Sequence, residues 1–217
     1  MGTRPPPDDP AGGDPGRWAI DLYWIPLGAG APAVRAGGKV YELGSALVQR
    51  RPRGELYHSA LVVFVPEGRY VIELAPVPDP HGERRGVVAE GPVGAAWAGR
   101  LRHLRYEVRR WHQGELPDAT SAVDSPARVS DDPGRARCLL DLVPQVPTHT
   151  YGSHGCVPDD MWNSNSVTAW LLARSGVTTA GIVPPRGGRA PGWNAGLAAA
   201  GRDGGLPELR TAPAGAG

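Results

Sequence analysis

The chain has 217 residues, with 23 lysines and arginines against 22 acids and a net charge of +1 at neutral pH. That length accommodates one domain with appended arms. So balanced a charge gives no reason to expect nucleic acid or an acidic membrane as partner.

Residues 1–16 are rich in Pro, Gly and Asp with almost nothing to bury, and read as a disordered arm. RWAIDLYWIP (17–26) alternates, setting Trp18, Ile20, Leu22 and Trp24 on one face of a strand. GAGAPAVRAGG (28–38) is a loop, and KVYELGSALVQRR (39–51) carries Val40, Leu43, Leu47 and Val48 at helical spacing. LYHSALVVFV (56–65) and RYVIELAPV (69–77) are β-rich runs joined by PEGR, a hairpin pattern. RRGVVAEGPVG (84–94) and LRHLRYEVRRW (101–111) read as further strands. The cations of GRLRHLRYEVRRW (99–111) form a solvated face opposite Leu101, Leu104, Tyr106 and Val108.

GELPDATSAVDSP (114–126) is turn-rich. SDDPGRARCLLDLV (130–143) opens on Ser130 and two acids before running apolar, as a capped helix does. The loop PQVPTHTYGSHGCVPDD (144–160) leads into WNSNSVTAWLLARSG (162–176). This is a helix capped by Asn163 or Ser164, with a Val167–Trp170–Leu171 stripe and a stop at Gly176. Beyond it the chain returns to Gly, Pro and Ala, with Trp193 placed to pin that tail across the body.

This order predicts an α+β fold, an antiparallel sheet packed against helices. The domain is expected over 17–183 and a Gly/Pro/Ala-rich tail over 184–217. The N-terminal stretch lacks the apolar core of a signal peptide, and no run reaches membrane-spanning length. Two cysteines, Cys138 and Cys156, show no paired-Cys zinc spacing. The expectation is a soluble cytoplasmic protein with no integral membrane association.

One cap does not account for Asn163, Ser164, Asn165 and Ser166 in a row. A helix N-terminus offers unpaired N–H donors and partial positive charge, where a nucleophile gains an oxyanion site. A serine there also needs an adjacent base. His81 falls in the turn-like PDPHGE and His112 just after a strand end, both read as solvated, and His103 in the basic strand. His149 and His154, with Cys156, Asp159 and Asp160, sit in a polar loop that fits no structural zinc spacing. A metal-dependent hydrolase using His149, His154 and Asp160 is the weaker alternative. His58 opens an otherwise apolar strand, and Glu73 lies between Ile72 and Leu74 in the next one. With PEGR as a four-residue loop, Val77 falls opposite His58, and Glu73 lies on the same face roughly 13 Å away. A bulge or a different turn must close that gap.

HSALVV, then YVIELAP, then NSNSVTAWLL, in that order, resemble the circularly permuted papain-like proteins, especially the lecithin:retinol acyltransferase-like branch. The resemblance implies a permuted papain-like sheet and helices, and thiol acyltransferase, phospholipase or cell-wall amidase chemistry. It assigns His58 as base, Glu73 as the residue that orients it, and Asn163–Ser164 as the family's Asn-Cys pair. Backbone N–H groups near Asn165, with the Asn163 amide, would hold the oxyanion. The chain departs from the family where Ser164 stands for the cysteine. An enzyme of this kind would act on a small amide or ester, within a small-molecule, peptide or lipid substrate, without metal, nucleotide or other cofactor. The alternative is a catalytically inactive papain-like module that binds a ligand or partner, and Cys156 is a further candidate nucleophile.

Overall fold

The computed structural model describes residues 18–27, 55–75, 86–116, 118–155, 157–158 and 160–203. The expected arm over 1–16, the loop over 28–38 and the helix over 39–51 lie outside the described residues, as do His81, Cys156 and Asp159.

The apolar alternation of the sequence becomes one antiparallel sheet in the order β4–β5–β3–β2–β1–β6. Its strands are β1 (Ala19–Pro26), β2 (Tyr57–Val65), β3 (Gly68–Ala75), β4 (Val87–Pro92), β5 (Arg105–His112) and β6 (Ala127–Ser130). The described helices are α1 (Pro133–Leu142), α2 (Ser164–Arg174) and α3 (Trp193–Arg202). Asp132 caps α1 by accepting the Arg135 N–H at 2.7 Å, with Pro133 at the first helical position, where a missing N–H costs nothing. The α+β expectation holds at this level.

One face of the sheet carries Ile20, Leu22, Trp24, Tyr57, Leu61, Val63, Ile72, Leu74, Tyr106 and Val108. These close on Leu139 and Leu140 of α1 and on Val167, Trp170 and Leu171 of α2. Each such side chain contributes about 1.5–3 kcal/mol by leaving water, so this face is where the helices are held. A strand sends successive side chains to opposite faces, so Asp21, Ile25, His58, Val62, Val71, Glu73, Glu107 and Arg109 occupy the other one.

That second face corrects the reading of 99–111 as a strand with a solvated cationic side. Residues Ala96–Arg100 and Arg102–Leu104 form short 3-10 turns, and β5 begins only at Arg105. Within β5, Arg109 is 5% exposed, because two acids meet it. Its Nη1 donates to Glu73 at 3.1 Å, and its Nε and Nη2 donate to Glu107 at 3.0 and 2.7 Å. Asp21, also buried, is paired in the same way by Arg128 of β6. Strand β6 is too short to show a period in the sequence. The body also runs past the expected boundary at 183, since Ala195, Ala199 and Ala200 of α3 pack into the main core.

Removing the Arg109 guanidinium would leave the buried Glu107 and half-buried Glu73 carboxylates without a counter-charge. Arg109→Met is therefore expected to lower stability by about 3–5 kcal/mol in urea denaturation. A loss below about 1 kcal/mol would contradict this account of the second face.

Candidate functional site

Helix α2 begins where the sequence places it, and Asn163 rather than Ser164 is its cap. Asn163 has extended backbone, and its Oδ1 accepts the Asn165 N–H at 2.9 Å. Ser166 Oγ accepts the Asn163 N–H at 3.0 Å, completing a capping box. The Ser166 hydroxyl donates onward to the Gly192 carbonyl at 2.7 Å.

The third polar side chain of the run reaches further. Asn165 Oδ1 accepts from Ser59 Oγ at 2.8 Å, and its Nδ2 donates to the Tyr57 carbonyl at 3.0 Å and the Pro191 carbonyl at 2.8 Å. Asn163 Nδ2 donates to the same Pro191 carbonyl at 2.9 Å. The Asp160 carboxylate accepts from the backbone N–H groups of Gly192, Asn194 and Ala195, which caps α3. A side chain at Gly196 would strike the Ser166 backbone, so α2 and α3 approach closely only because that residue is glycine. The run thus clasps the sheet, α2 and the turn before α3 together.

Ser164 is the member of the run left over. It is partly buried at the first helical position, and among the described residues its hydroxyl makes no side-chain hydrogen bond. Ser59 turns toward α2, so the preceding residue, His58, turns to the other face of the sheet. There it lies across from Ile25 of β1, a residue 1% exposed. Among the described residues no hydrogen bond joins His58 to Ser164, or to Glu73. Burial lowers the His58 imidazole to about 4, and the carboxylate that opposes this is Asp118, not Glu73. Asp118 itself has left-handed backbone, with φ of 61°.

Glu73 is engaged by Arg109 instead. The hairpin turn is shorter than PEGR implies: Val65 pairs with Gly68, leaving Pro66 and Glu67 as the turn. This slides Glu73 toward the His58 end of β2 relative to the sequence-based register, but β2–β3 pairing stops at Leu61–Ile72. The donors assigned to an oxyanion are also taken, the Asn165 N–H by Asn163 Oδ1 and the Asn163 amide by Pro191.

The other histidines are dispersed. His112 Nε2 lies 3.1 Å from the Glu67 carbonyl and its ring meets that of Tyr70 at a tilt, with centroids 4.8 Å apart. His149 meets the Trp162 ring edge-on at 4.8 Å, and His103 and His154 are exposed. Among the described residues no three His, Cys, Asp or Glu side chains gather where a metal ion could bind. Nor is any helix among them long and apolar enough to cross a membrane.

Sequence reasoning missed Ser59 and Asp118, and read Asp160 as a candidate metal ligand rather than as the acceptor of the first N–H groups of α3. Ser59 meets a residue 106 positions away, so no local signal announces it. Asp160, close before a helix, does carry the composition of a cap, though it caps α3 rather than α2. Comparison of the chain with protein-family models, with curated proteins and with solved structures finds no match.

A histidine held below its ordinary 6.5 stays neutral in the folded chain while the unfolded chain takes up a proton. His58 therefore costs nothing above pH 6.5, and subtracts stability as pH falls from 6.5 toward about 4. His58→Gln should reduce the loss of stability between pH 7 and pH 5 by about 2 kcal/mol, read from urea denaturation at both values. An unchanged pH slope would contradict the desolvation of this half-buried ring. Asn165→Ala removes the clasp and leaves Ser59 and the Tyr57 carbonyl unsatisfied, so a loss of about 2–4 kcal/mol is expected. Ser164→Ala should cost less than about 0.5 kcal/mol in the same assay.

Proposed function

We propose that the protein is a non-catalytic binding module on an α+β scaffold of the permuted papain-like kind, taking a small-molecule, peptide or lipid ligand in the cytoplasm. One observation carries this reading. The Ser59–Asn165 hydrogen bond fixes the first turn of α2 against one face of β2, while alternation turns His58 to the other. A serine hydroxyl is too weak an acid to act without a base in hydrogen-bond reach, and the described residues supply none at Ser164. Further support comes from the donors around it, which are spent on packing, and from Glu73, which is held by Arg109. The order of motifs still resembles the permuted papain-like chains. A serine in place of their cysteine is in keeping with a scaffold retained for binding, since serine does not populate its anion near neutral pH.

A fluorophosphonate probe tests the reading. The wild-type chain should show no more covalent labelling than Ser164→Ala. Labelling of Ser164 that disappears in both Ser164→Ala and His58→Ala would instead make the protein a serine hydrolase or acyltransferase.

A further inference from the structure

Between Gly91 and Tyr106 the sequence holds three arginines and one histidine but no acid. The middle of this segment leaves the sheet between edge strand β4 and its neighbour β5 as two short 3-10 turns. The projection is built rather than frayed. Ala98 is buried, the Ala98, Leu101 and Leu104 N–H groups each bond a carbonyl three residues back, and the Val93 N–H returns to Leu104. Arg105 is consumed in this support, donating to the Gly99 carbonyl at 2.7 Å and pairing with Glu90 at 2.9 Å.

Outside that support the segment faces water with apolar and cationic groups together. Trp97 is 67% exposed and Leu101 43%. Arg100, Arg102 and His103 are exposed beside them, and among the described residues neither arginine makes an ion pair. An indole and an isobutyl group held in water cost free energy unless something covers them.

We propose that this projection docks the protein on an anionic lipid surface, with Trp97 and Leu101 entering the headgroup layer and Arg100 and Arg102 meeting lipid phosphates. The chemistry of the four side chains selects this occupant. Indoles favour the boundary between water and hydrocarbon because one end is apolar and the other donates a hydrogen bond. Arginine can bury its stem while its head stays at the phosphates. A patch that stacked nucleic-acid bases would have no use for Leu101. The whole-chain charge of +1 hides the patch, because attraction to a charged surface decays within about 8–10 Å and depends on what the docking face presents. Two cations and two apolar side chains make a reversible contact, not an anchor. The inference does not depend on how the α2 terminus is read.

Sedimentation of the full chain with vesicles tests it. The wild type should partition onto phosphatidylcholine vesicles containing phosphatidylglycerol, weakly onto phosphatidylcholine alone, and less at high salt. Arg100→Gln and Arg102→Gln should each weaken binding about fivefold, and Trp97→Ala about tenfold or more. Val183→Ser, which removes an exposed apolar side chain outside the projection, should bind as wild type. Three outcomes would overturn the proposal: no partition onto the anionic vesicles, equal partition by the Trp97 and arginine variants, or tighter binding to single-stranded RNA than to the vesicles.

Discussion

A buried carboxamide, that of Asn165, sets the geometry of the region where chemistry would be sought. It is 2% exposed, and a buried polar group is tolerated only when its donors and acceptors are matched. Its partners come from β2 and from the turn before α3, so satisfying it brings three parts of the chain to one point. Helix α2 has little freedom to rotate or slide without breaking that set. The side chains of its first turn face where they do because Asn165 faces the sheet.

The two faces of the sheet are stabilised by different physics. On the helix side, burial of apolar area dominates. On the other, the buried carboxylates of Asp21 and Glu107 and the half-buried one of Glu73 are held by arginines, Asp21 and Glu73 from a neighbouring strand and Glu107 from its own. Such pairs add little net stability but make their positions specific, since losing one partner strands the other. The side chains offered for a triad divide along the same line. His58 and Glu73 belong to the charged face, whereas Ser164 opens the helix that packs on the apolar one.

Much of the fold was legible because it is written in local periods. β1 alternates, β2 and β3 are β-rich runs on either side of a short turn, α1 and α2 carry cap residues and apolar stripes, and Gly176, with φ of 78°, ends α2 where expected. The errors have common causes. The hairpin register turned on whether PEGR is a loop or contains a two-residue turn, and one pair of residues moves every cross-strand neighbour. Arg109 looked solvated because the acids that bury it sit on another strand or two residues before it. The polar run that opens α2 looked chemical because Ser59, which donates to it, and the Pro191 carbonyl, which accepts from it, are far away in sequence. The exposed patch at Trp97 was hidden by an overall charge balance that says nothing about local placement.

Side-chain nuclear Overhauser contacts give the most direct test of the central claim. The carboxamide protons of Asn165 should show contacts to the β protons of Ser59, and the ring protons of His58 should show contacts to Ile25. Contacts between the His58 ring and the β protons of Ser164 would place both groups on one face of the sheet and contradict the account.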